Sequence, residues 1–132
     1  MRAFFKTLAG ASCPKPFPVL SFPGIQVLGL TLPLLSSILG IGARACHFGD
    51  AVDIGEILKR MPAEVPVMGN LSPSRYLRHG TPDRVAAAMR TMVAQARGYA
   101  NYIPSTGCDI PPLSPLENID AFMSAAAMMR GG

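Results

Sequence analysis

The chain has 132 residues, 49% of them hydrophobic and 15% charged, with a net charge of +4. That length holds one domain with a modest core, and that composition excludes an intrinsically disordered chain. The twelve Lys and Arg are scattered, and their densest group, Arg75 and Arg78 with His79, has no aromatic row beside it, so it reads as a solvated loop and not a nucleic-acid surface.

Between Pro16 and Ala43 there is no charged residue, a length that could cross a membrane. Pro16, Pro18, Pro23 and Pro33, with Gly24, Gly29, Gly40 and Gly42, would interrupt such a helix repeatedly. The apolar stretch after Met1 is too short for a signal peptide, and Lys6 breaks it. The expectation is therefore neither export nor membrane insertion, but a buried strand at Pro18–Phe22 and a helix near Leu32–Leu39. Cys13, Cys46 and Cys108 lie far apart and form no CxxC pair, which fits a reducing, cytoplasmic compartment.

The rest of the chain alternates. Ala43–Phe48 reads as a strand. Asp53 caps the following helix with Glu56 three residues on, and Ile54, Ile57, Leu58 and Met61 make one helical face that Pro62 stops. Val65–Gly69 is a short strand, and Asn70 to Gly80 is a loop. Thr81 caps a second helix with Pro82 at its first position, and Val85, Met89, Met92, Val93 and Ala96 form its inner stripe, ended by Gly98. Asn101–Ser105 is a third strand. Ser114-Pro115-Leu116-Glu117 has the pattern of a capping box, and Ile119, Phe122, Met123 and Ala126 form the last buried face. The methionines on these stripes fill core.

Strand and helix in alternation imply an α/β fold with a parallel sheet, whose active site lies beyond the carboxyl ends of the strands. The unusual residues gather there. One strand ends in His47-Phe48-Gly49-Asp50, the next in Gly69-Asn70-Leu71-Ser72-Pro73, and the third in Ser105-Thr106-Gly107-Cys108-Asp109-Ile110-Pro111-Pro112. Glycine beside polar groups permits tight turns and close approach of backbone to a ligand. His47 and Asn70 are candidates to bind substrate, as are Asp50 and Asp109 for its polar groups. Asp53 is a cap. Cys46 points away from His47 in a strand and reads as core. His79 is solvated.

Those stretches, with Gly80-Thr81-Pro82 and Ser114-Pro115-Leu116-Glu117-Asn118-Ile119, resemble the C-terminal part of the uroporphyrinogen decarboxylase superfamily, and within it most the corrinoid-dependent methyltransferase branch. The resemblance covers about Leu32 to Met129. It implies the C-terminal part of a (β/α)8 TIM-type barrel, about half a barrel, over residues 32–132, with 1–31 as an atypical N-terminal segment of the kind a truncated or frame-shifted gene produces. A whole barrel takes about 250 residues, so the open edges and face imply self-association or a complementary N-terminal half.

The resemblance also implies a function: methyl transfer from a methyl-corrinoid, carried on a partner corrinoid protein, to a thiol or related acceptor. The methyltransferase branch holds zinc with a cysteine where this chain has Cys108, paired with an upstream Leu-His-x-Cys-Gly. Here Val19-Leu20-Ser21-Phe22-Pro23-Gly24 aligns with that motif, so Ser21 stands for the histidine and Pro23 for the cysteine. Proline cannot ligate zinc, and serine is a poor ligand. Two alternatives stand beside this reading. One is a uroporphyrinogen decarboxylase of porphyrin biosynthesis, against which the cysteine in the glycine loop speaks. The other is a catalytically silent half-barrel, which Ser21 and Pro23 favour.

Overall fold

In a computed structural model of the chain, residues 24–128 are described. The expected strand at Pro18–Phe22, with Cys13, Ser21 and Pro23, lies outside the described residues. Four strands form one parallel sheet in chain order: β1 (Gly24–Val27), β2 (Ala45–Phe48), β3 (Val67–Leu71) and β4 (Tyr102–Thr106). A helix follows each: α1 (Leu35–Gly40), α2 (Ile54–Leu58), α3 (Pro82–Gln95) and α4 (Leu116–Met128). Successive neighbours joined by crossing helices are the arrangement that the alternating sequence predicts.

The two faces of the sheet differ. Ile25, Cys46, Val67 and Tyr102 stand in register across the four strands. Cys46, Val67 and Tyr102 are buried, and Ile25 packs against the same core. The next row, Gln26, His47, Met68 and Ile103, is also in register and points the other way. His47 and Met68 are half-buried, and Ile103 is 47% exposed. The helices therefore cover one face, and the core lies between it and the helical layer.

That core is built from the expected stripes. Ile54, Ile57, Leu58 and Met61 are all buried, as are Val85, Met89 and Met92 on α3 and Ala96 just after it, whereas Val93 is half-buried. Burial of each large apolar side chain contributes about 1.5–3 kcal/mol. Asp53 caps α2 by accepting the Glu56 N–H at 3.0 Å. Regular helix ends at Leu58, but Met61 N–H still reaches Ile57 O at 3.0 Å before Pro62 ends the turn.

A strand at Gly24–Val27, where no element was expected, precedes the first helix. Three expectations need correction. Asn70 and Leu71 belong to β3, and the supposed loop after them contains a wide π-type helical turn, Pro73–Arg78, in which His79 N–H reaches back to Ser74 O at 3.1 Å. Leu77 within that turn is fully buried, which supplies the apolar contact that holds it. Ser114 does not act as a cap, because its hydroxyl donates to Pro111 O at 2.8 Å, and Pro115 O instead accepts the first N–H groups of α4. Finally, Met123 is 42% exposed, while Asn118 is buried on the inner face of α4 with Phe122.

Candidate functional site

The three strand ends that carry the unusual residues are bound to one another. His47 lies on β2 and points away from the helices. Its Nε2 is 2.6 Å from the carbonyl oxygen of Thr106, the last residue of β4. A carbonyl only accepts, so Nε2 carries the proton and donates. β3 lies between β2 and β4, so this bond spans a strand. On β3, Asn70 Nδ2 donates to Gly49 O at 3.0 Å and to Val52 O at 2.5 Å, holding the loop that follows β2. Gly107 closes the set, because its N–H donates to Leu71 O at 2.8 Å.

Two glycines are required by this packing. A Cβ on Gly107 would stand 2.6 Å from the backbone nitrogen of Asp50. Gly69 has φ +135°, and a Cβ there would stand 2.6 Å from Phe48 O. The strand-end glycines thus serve close approach between loops. Below them Tyr102 donates its hydroxyl to Gly69 O at 2.6 Å, and burial pushes its phenol well above the ordinary range.

Each expected site residue now has a place. His47 and Asn70 are half-buried and bonded as described. Cys108 is half-buried on the turn after β4, with its carbonyl accepting the Thr106 hydroxyl at 2.8 Å. Asp50 and Asp109 are exposed. Cys46 is buried in the core, and burial pushes its thiol up. His79 is exposed.

The strand ends adjoin a cleft of about 490 Å³ that contains Asp50, Asn70, Arg75, Tyr76 and Gln95, and does not contain His47 or Cys108. Arg75, read from the sequence as merely solvated, brings a cation into that cleft, lying 5.4 Å from the Tyr76 ring centre. Thr106 was missed, because only the order of strands shows that β4 ends within reach of β2. A second, more apolar groove of about 550 Å³ lies between α3 and α4, away from these residues.

Among the described residues, no three or more His, Cys, Asp or Glu side chains are grouped as a metal ion requires. A catalytic zinc takes three protein ligands. Cys108 offers one thiol, and His47 has committed Nε2 to a carbonyl. The described residues therefore do not fit zinc by themselves.

A profile of the family described as "Uroporphyrinogen decarboxylase (URO-D)" matches residues 11–129. The chain belongs to the uroporphyrinogen decarboxylase family. It is 42% identical over 71 residues to a uroporphyrinogen decarboxylase of Parasynechococcus marenigrum (strain WH8102), a match covering 54% of this chain and 19% of that protein. Over 84 residues it is 30% identical to the uroporphyrinogen decarboxylase of Chlamydia caviae, covering 64% and 25%. Its fold is similar to that of a methyltransferase from Methanosarcina mazei, with a TM-score of 0.64 and 23% identity over 77% of this chain and 29% of that one. The matched part thus spans about a fifth to a quarter of these curated family members. The four parallel strand–helix units are the C-terminal part of a barrel of this family, about half of one. None of the described helices is long and apolar enough to cross a membrane.

Proposed function

We propose that this chain is part of a methyltransferase-type member of the uroporphyrinogen decarboxylase family, which moves a methyl group from a methyl-corrinoid on a partner protein to a thiol or related acceptor. The observation that carries the reading is the cysteine in the Gly107-Cys108-Asp109 turn at the carboxyl end of β4, two residues after the Thr106 carbonyl that accepts from His47. In the transfer the acceptor thiol loses its proton to solvent, and its sulfur forms a bond to the methyl carbon. The cobalt–carbon bond breaks, and its electron pair stays on cobalt. The chain's contribution is binding and orientation. Asn70 fixes the Gly49–Val52 loop, His47 donates to the Thr106 carbonyl, and the exposed Asp50 and Asp109 offer charge to polar groups of the substrate. Zinc belongs to this reading only through donors beyond the described residues. Ser21 and Pro23, which stand where the family resemblance expects them, are unsuited to that role.

A second reading is decarboxylation of a porphyrinogen, favoured by the 42% identity over 71 residues with a uroporphyrinogen decarboxylase. One experiment separates the two. The chain is incubated with methylcobalamin and a small alkyl thiol, with and without added zinc, and in parallel with uroporphyrinogen. Loss of the methylcobalamin spectrum that Cys108→Ser abolishes supports methyl transfer. Release of carbon dioxide from uroporphyrinogen without methyl transfer supports the second reading. Neither reaction would sink both and leave a catalytically silent unit.

A further inference from the structure

We infer that His47 is the positioning residue for the turn that carries Cys108, acting through the carbonyl of Thr106. The inference rests on the reading above only in taking Cys108 as a working group of the site.

The turn is bound at three points. Gly107 N–H donates to Leu71 O on the neighbouring strand at 2.8 Å. The Thr106 hydroxyl donates forward to Cys108 O at 2.8 Å, which closes the turn on itself. His47 makes the third bond, from a strand that does not touch β4 in the sheet. The first two bonds are local to β3, β4 and the turn. Only the third ties the turn to β2, whose own end loop Asn70 secures.

The chemistry of the ring sharpens the assignment. Because Nε2–H is committed to a carbonyl, the neutral ring holds its lone pair on Nδ1, and one tautomer is selected. A ring whose far nitrogen donates to a backbone carbonyl is fixed in orientation. The row in which His47 stands, with Gln26, Met68 and Ile103, faces away from the helices, so the bond runs along the open face of the sheet.

The test uses the full chain and needs no corrinoid. Iodoacetamide alkylation is followed for each cysteine separately by peptide mass spectrometry. His47→Leu removes the donor, and the freed turn should expose the half-buried Cys108, raising its alkylation rate roughly three- to tenfold, the effect of one hydrogen bond. His47→Gln, whose amide nitrogen donates at a similar reach, should stay within about twofold of the parent. Cys46 should remain protected in both, showing that the fold is intact. A folded leucine variant with the parent rate, or a glutamine variant that behaves like the leucine one, overturns the assignment. If the leucine variant unfolds, the imidazole ¹⁵N spectrum of the parent chain decides. A protonated Nε2 supports the assignment, and a bare Nε2 overturns it. Absence of methyl transfer would leave this role standing, and an unchanged alkylation rate would leave methyl transfer standing.

Discussion

Asn118 on α4 donates its side-chain amide to the carbonyl oxygen of Leu77 at 3.0 Å, and the same nitrogen reaches Gly80 O at 3.1 Å. At 1% exposure it is the polar residue that fastens the last helix to the π-type turn after β3. Replacing it with Ala leaves buried carbonyls without a donor, a loss of about 2–3 kcal/mol. Urea unfolding of Asn118→Ala should show a lower midpoint with an unchanged slope. A midpoint within error of the parent would show that the amide is not structural.

Asn70 presents a sharper choice, because it was expected to bind substrate and is found bonded to Gly49 and Val52. Asn70→Ala should lower stability by about 1–3 kcal/mol, and Asn70→Asp by more at neutral pH, because a carboxylate would face two carbonyl oxygens. Unfolding curves of both variants check this. Parent-like stability in both would mean that the side chain acts on a ligand and does not hold the loop.

Much of this architecture was legible in the sequence. The stripes of α2 and α3 follow directly from apolar spacing, and Asp53 caps as its position suggests. The failures have physical causes. Gly24–Val27 is a strand because pairing with β2 outweighs its weak local signal. Pro73–Arg78 looked like a loop because serine, proline and arginine surround its one buried anchor, Leu77. Asn118 was assigned no inward role because a polar residue on a helix is usually outside, whereas here two carbonyls needed a donor. The link between His47 and Thr106 depends on sheet order, which no single segment encodes.

The glycines at the strand ends give a third expectation. Alanine at Gly69 must adopt φ +135° and approach Phe48 O, and alanine at Gly107 must approach Asp50 N. Each should destabilise the chain by at least about 2 kcal/mol through strain and overpacking. Alanine at Gly24, where nothing lies within 4 Å of the new Cβ, is the control. Thermal unfolding of the three variants checks the order, and equal midpoints would contradict the close packing of the loops.

Tyr102 gives a pH dependence. Its folded phenol titrates above its unfolded value because of burial. Between those two values the unfolded chain binds fewer protons than the folded one, so stability falls as pH rises. The contribution is complete below about pH 10 and is lost above it. Tyr102→Phe should flatten that loss while costing about 1 kcal/mol at neutral pH from the missing bond to Gly69 O. Urea midpoints between neutral pH and about pH 11 test this; equal slopes in parent and variant would contradict it.

The most direct test of the site is where a corrinoid binds. Amide NMR spectra of the full chain are recorded as methylcobalamin is added. Binding at the strand ends should shift Gly49, Asp50, Asn70, Gly107 and Cys108 together, because hydrogen bonds and close packing couple their loops. Shifts confined to the groove between α3 and α4, at Ala86, Val93 and Ala125, or no shifts at all, would contradict a corrinoid site at the strand ends.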